Sequence, residues 1–504
     1  MQRSSGILLH PTSLPGSWPI GDLGEQAFGF VDFLAKAGQS VWQILPLGPP
    51  GYGHSPYNNL SAFAGNMALI DLQQLVASQD IDLERVEATV NGCYPISFSR
   101  AYELKHALLK TAARNFFHRR EPERFEKFSL FCRENADWLD DFCLFIALKE
   151  AFKGQPWTDW PEGLRQRQRA ALAEGQKKLA EQCELFKYQQ FVFYEQWDRL
   201  KCYANRKRIR IFGDIPIFVA HDSADVWANQ HLFQLNDEGQ PISVAGVPPD
   251  YFSSTGQRWG NPLYRWDDHL AEDFCWWTRR FTHQLRQCDM IRIDHFRGFQ
   301  ACWAIPANET TAVNGRWEDV PGRKLLDKLQ TMNPEMPIIA EDLGIITADV
   351  EKLRDHFGLP GMKILQFAFD SGSDNPYLPE NHPSNSVVYT GTHDNDTTLG
   401  WWQSLSKSQK NCIRDYLGNR RPEMPWDFIE LAMSSQASLC IIPCQDILGL
   451  DNSARFNTPG RATGNWQWQL SSDMLTDDLA RRVRKLVEKY HRSQEGNELA
   501  FERD

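Results

Sequence analysis

The chain contains no apolar run approaching the roughly 18 residues that cross a bilayer. Its first candidate, Gly6-Ile7-Leu8-Leu9, is too short for a signal-peptide core. No block of Lys and Arg occurs. The 54 basic residues face 65 acidic ones, a net charge of −11, which argues against nucleic acid as a partner. There is no C-x-x-C pair. The eleven Cys are scattered, and the nearest two, Cys440 and Cys444, lack a zinc-site spacing. Reduced thiols in a cytoplasmic protein are therefore expected. Internal repeats, low-complexity tracts and Gly/Ser linkers are also missing. Together these absences exclude a spanning helix, a nucleic-acid surface and a beads-on-a-string layout.

What is present is 504 residues, 42% of them apolar, enough for a barrel with insertions as one unit. Eight short apolar segments stand out, at 6–9, 41–45, 209–212, 290–293, 337–340, 363–367, 387–389 and 439–442. Near-continuous apolarity, without alternation, marks parallel strands buried on both faces. Helical patterns lie between many of them, including 25–37 with Gly38 as C-cap, 348–356 after Thr347, and 405–417. The expected fold is α/β, a (β/α)8 TIM-type barrel spanning 1–504.

Two excursions interrupt it. A mostly helical inserted subdomain is expected over 58–205, with helices near 100–117, 123–131, 138–152 and 176–203. A loop-rich insertion is expected over 215–288, ending in one helix over 266–287. The turn-rich part includes Gly246-Val247-Pro248-Pro249-Asp250-Tyr251-Phe252-Ser253-Ser254-Thr255-Gly256. Its stiff prolines and two aromatics suit either a lid or an ordinary surface loop.

In such a barrel the loops after the strands carry the chemistry. The third strand ends on Asp214, the fourth on Arg292-Ile293-Asp294-His295, the fifth on Glu341-Asp342 and the seventh on His393-Asp394. Arg292 and Asp294 stand two apart, so in a strand they share a face. The cation should lower the Asp294 pKa and keep it anionic. Glu341 follows four apolar residues with no neighbouring cation, so its pKa should rise. A charged carboxylate beside a protonated one suits a retaining glycosidic reaction, with the groups roughly 5–5.5 Å apart.

Three other readings remain open on the residues. A hydrolase on the same barrel would use the same pair of acids. A non-catalytic carbohydrate-binding protein would need only aromatics, and the chain has eighteen Trp. A metal-dependent phosphohydrolase could use Asp294-His295, His393-Asp394 and His221-Asp222, although Arg292 beside Asp294 disfavours a metal there.

The same stretches resemble the amylomaltases, the disproportionating 4-alpha-glucanotransferases related to the alpha-amylase superfamily. The likeness runs over nearly the whole chain. It rests on His10-Pro11-Thr12-Ser13-Leu14-Pro15-Gly16, Gly53-His54-Ser55-Pro56-Tyr57, Gly213-Asp214-Ile215-Pro216-Ile217-Phe218-Val219, Gly256-Gln257-Arg258-Trp259-Gly260-Asn261-Pro262, Arg292 to Phe299, Ala340-Glu341-Asp342-Leu343-Gly344 and Gly391 to Asp396. The resemblance implies retaining transfer of α-1,4-glucan segments between maltooligosaccharides, with no cofactor and no metal. By matching position it implies Asp294 as nucleophile, Glu341 as general acid/base and Asp394 as the third acid. It further implies Arg292 and His393 flanking the site, Asp214 as the third-strand carboxylate, Tyr57 stacked on the donor sugar, Ser55 as a substrate-binding residue, and Asp250, Gln257 and Trp259 in the loop covering the acceptor side. Oligomeric state is not legible.

Overall fold

The computed structural model describes residues 2–16, 18–90, 97–249, 253–461 and 463–493, with the backbone alone at 52 and 87–90. All eight expected strands are present. They are β1 Ser4–Leu8, β2 Val41–Gln43, β3 Arg210–Pro216, β4 Met290–Asp294, β5 Ile338–Ala340, β6 Gly361–Ile364, β7 Ser386–Tyr389 and β8 Leu439–Pro443. They form one parallel sheet in the order β6-β7-β8-β1-β2-β3-β4-β5. The two end strands meet where the Ala340 N–H donates to the Pro360 carbonyl at 2.9 Å, closing the (β/α)8 barrel. β1 is buried along its length. Its Gly6 permits the close approach of β2, because a Cβ there would lie 2.4 Å from the Val41 carbonyl oxygen.

The boundaries differ in instructive places. β3 runs on to Pro216, because its ladder with β4 continues through Asp214 opposite Arg292 and Pro216 opposite Asp294. Asp214 thus sits inside the strand, and the excursion expected from 215 begins after 216. The expected 363–367 strand starts earlier and passes into a 3₁₀ turn over Leu365–Phe367. Between β6 and β7 there are short 3₁₀ turns and no α-helix, a departure from strict strand–helix alternation. The helix expected over 266–287 is two, Trp266–Ala271 and Cys275–Gln287, parted at Asp273 and Phe274 with φ of 50° and 55°. Thr347 stands at the N-cap of Ala348–His356 without a side-chain capping bond.

Between β2 and β3 the chain builds the helices Phe98–Arg119, Pro122–Glu134, Ala136–Ala151, Arg169–Lys178 and Ala180–Arg206. The buried Lys105 anchors this region to the barrel, donating to Asp22 Oδ2 at 3.1 Å and to the Ile70 carbonyl at 2.8 Å. The turn-rich stretch after β3 holds two strands that sequence patterning did not reveal. Ser243–Val247 and Gln257–Pro262 join Ala301–Pro306 and Arg316–Asp319 in a four-stranded antiparallel sheet beside the rim. Its small core is Val244, Ile305 and Ala312. The principal core fills and surrounds the barrel as one contiguous cluster. No helix among the described residues is long and apolar enough to cross a membrane.

Candidate active site at the strand ends

The register of β3 with β4 brings Arg292 between two carboxylates. Its Nε and Nη2 donate to Asp214 Oδ2 at 3.0 and 2.7 Å, and Nη2 also donates to Asp294 Oδ1 at 2.9 Å. Tyr57 adds its hydroxyl, which donates to Asp214 Oδ2 at 2.6 Å and accepts from Arg292 Nη2 at 3.1 Å. Arg292 and Asp214 are buried, whereas a third of the Asp294 side chain faces the open rim. A carboxylate anchored through one oxygen by a fixed guanidinium, with part of it open to the rim, is oriented for attack.

Glu341 stands at the end of the adjacent strand β5. Its Oε2 accepts the His295 N–H at 2.7 Å and its Oε1 accepts the Leu343 N–H at 3.1 Å. His295 has φ of 54°, a left-handed turn immediately after Asp294. Glu341 therefore bonds to the residue after Asp294, and the two carboxyls belong to one rim. Burial raises the Glu341 pKa to about 8, the charge of Asp294 adds to the rise, and Arg292 and the His295 N–H oppose it. Asp294 departs from expectation. Burial outweighs Arg292 and raises it to about 6, with Asp214 and Asp394 pushing the same way. The ordering needed for acid/base work survives, since Glu341 holds its proton to higher pH than Asp294.

The opposite side of the rim behaves differently. Burial would raise Asp394, but His393 and Asn457 outweigh it and hold the group well below the usual carboxylate range. His393 Nε2 lies 3.2 Å from Asp394 Oδ2, and Asn457 Nδ2 donates to Oδ1 at 2.6 Å. Arg455 donates to the Asp394 carbonyl at 2.5 Å and pairs with the Asp396 carboxylate. The buried Asp446 pins both ends of this loop. It accepts the hydroxyls of Thr390 and Thr398 at 2.6 Å each and the Thr398 N–H at 2.8 Å. Tyr57 stacks on His393 with ring centroids 5.1 Å apart, and Trp466 closes the same wall.

The remaining expected site residues divide. Ser55 accepts the Tyr57 N–H at 3.2 Å and shapes the turn that presents Tyr57. Trp259 packs edge-on against His295 at 4.9 Å, which puts it beside the nucleophile strand, and its Nε1 donates to Gln257 Oε1 at 3.1 Å. Asp250, with Tyr251 and Phe252, lies outside the described residues. His221 and Asp222 do not join the rim. His221 bonds the Gly239 carbonyl, and Asp222 pairs with Lys149 of the helical region, so the three His–Asp pairs do not converge. Asn457, Arg455 and Asp446 were not anticipated. Asn457 and Arg455 lie in Arg455-Phe456-Asn457-Thr458-Pro459-Gly460, a polar, turn-ending stretch after the eighth strand. The barrel rule alone marks that loop as facing the site.

Comparison with known proteins points the same way. A family model described as 4-alpha-glucanotransferase matches residues 9–476. The chain is similar to the 4-alpha-glucanotransferase of Thermus thermophilus, 49% identical over 97% of this chain and 99% of that one. It is similar to the 4-alpha-glucanotransferase of Synechocystis sp., 47% identical over 97% and 98%. Among solved structures it resembles an amylomaltase from Streptococcus agalactiae in complex with acarbose, with a TM-score of 0.94 and 37% identity over 98% of this chain and all of that one.

Proposed function

The chain belongs to the 4-alpha-glucanotransferase family and is an enzyme of that activity; we propose that it moves segments of α-1,4-glucan by double displacement through a glycosyl-aspartate. The donor is a maltooligosaccharide and the acceptor is the 4-hydroxyl of another sugar. In the first step an Asp294 oxygen attacks the anomeric carbon, the bond from that carbon to the leaving O4 breaks, and Glu341 gives O4 its proton. In the second, the acceptor 4-hydroxyl attacks the same carbon, loses its proton to Glu341, and releases Asp294. Two inversions give retention.

The observation that carries this reading is the pair of adjacent strand ends. Arg292 aims Asp294, and Glu341 is tied to the very next residue. Asp214 and Tyr57 hold Arg292, and thereby Asp294, in place. Asp394 and His393 hold hydroxyls of the donor sugar across from the nucleophile. Ser55, Gln257 and Trp259 line the flanks. A lid over 246–256 would shut out water and favour a sugar acceptor over hydrolysis. The described residues include ten free thiols, which supports a cytoplasmic setting.

Incubation with maltotriose tests the reading. Transfer gives glucose together with a ladder of longer maltodextrins. Maltose and glucose alone would instead identify a hydrolase.

A further inference from the structure

Eighteen Trp are distributed over the chain, and nearly all are buried or half-buried. Trp259 and Trp317 are the exceptions, each 39% exposed, and they lie on the two edge strands of the antiparallel sheet. Trp259 touches His295 and belongs to the cleft. Trp317 does not. The register sets Arg258, Gly246, Trp303 and Trp317 in one cross-strand row, so these four share a face. The exposed Trp317 indole has no part in the chemistry above.

Its surroundings are built. The Arg297 guanidinium lies 3.9 Å from the Trp317 ring centroid, against one face of the indole. Trp303 stands edge-on at 5.1 Å. Arg297 and Trp303 cover part of the ring, and 39% of the residue stays exposed, on a strand with no further neighbour in the sheet. Arg297 itself is buried and belongs to the turn that follows Asp294. Its Nη1 donates to the Ile345 carbonyl at 2.7 Å, on the loop that follows Glu341. Ile345 is 53% exposed. A single buried cation thus joins the exposed indole to both catalytic loops.

We propose that Trp317, set by Arg297, is a second docking platform for α-1,4-glucan chains, outside the cleft and against its rim. The proposal rests on the glucan-transfer reading above. A sugar ring presents an apolar C–H face that an indole covers, while its hydroxyls find polar groups at the rim. A platform fixed by cation–π contact loses little side-chain freedom on binding. It would engage only chains long enough to reach from the cleft over the 343–346 loop. Short substrates would not reach it.

The test compares wild type, Trp317→Ala and Trp317→Phe on maltotriose and on soluble amylose. The alanine variant should keep maltotriose disproportionation within about twofold and lose about five- to tenfold in kcat/KM on amylose, through KM. The phenylalanine variant should recover most of that loss. Unchanged amylose kinetics in Trp317→Ala, or equal losses on both substrates, would overturn the proposal. Native electrophoresis through gels containing soluble starch separates it from the transfer reading. If wild type made no ladder from maltotriose, that reading would fail. Trp317 would still be judged by whether starch retards wild type more than Trp317→Ala, and equal mobility would reject the platform.

Discussion

The two halves of the rim use the same residue types to opposite ends. At β4 and β5, Asp294 and Glu341 sit in apolar strand ends, near one another, and burial raises both. At β7 and β8, Asp394 is also partly buried, yet His393 and Asn457 hold it far down. The difference lies in what faces each oxygen. Glu341 receives two backbone N–H groups and no cation in contact, whereas both oxygens of Asp394 meet side-chain donors. Identity as Asp or Glu does not assign a role; the donors around the carboxyl do. The β4/β5 side is arranged to exchange a proton near neutrality, and the β7/β8 side to keep a charge at any working pH.

The harshest break in that comparison is Asp294→Asn. Turnover of maltotriose should fall at least about 10³-fold while sugar binding persists, measured by product release and by calorimetric titration. Activity within tenfold of wild type would remove Asp294 from the mechanism. The same variant should be more thermostable than wild type above pH 6. A carboxyl raised in the folded state contributes stability that is present below the unfolded pKa and lost as pH rises through about 6. Replacing it removes that loss, and melting curves at pH 5 and pH 8 give the sign.

The pH profile of kcat/KM sharpens the same contrast. Asp294 must be ionised, so activity should fall below about pH 6. Glu341 must carry its proton for the first step, so activity should fall above about pH 8. Asp394 should contribute no limb in that range. A profile flat from pH 5 to 9 would contradict the assignment.

Asn457→Ala should have the smallest effect, about a tenfold drop in kcat from a misplaced Asp394, with the alkaline limb unmoved because Glu341 is on the other side of the rim. A shift of that limb would show Glu341 to be coupled to the Asp394 side.

Much of this was legible beforehand because parallel barrel strands, buried on both faces, announce themselves as apolar runs ending in charge. The alternation of Arg292 and Asp294 also gave their shared face directly. Three things were not legible. The Asp294 shift reverses a local rule, because the carboxylate of Asp214 already occupies much of the Arg292 guanidinium and burial outweighs what remains. The antiparallel sheet was hidden because its strands are short and its two edge strands, Gln257–Pro262 and Arg316–Asp319, are mostly polar, each with a single tryptophan. Asp446 and Asn457 act through pairings more than 45 residues apart, which spacing cannot reveal.

The central claim is a glycosyl bond to Asp294 while Glu341 governs its release. Glu341→Gln, supplied with an α-maltosyl fluoride whose leaving group needs no acid, should accumulate that bond. Peptide mass spectrometry after acid quench should find the sugar increment on the peptide bearing Asp294. An increment on any other residue, or none while fluoride is released in a burst, would contradict the mechanism.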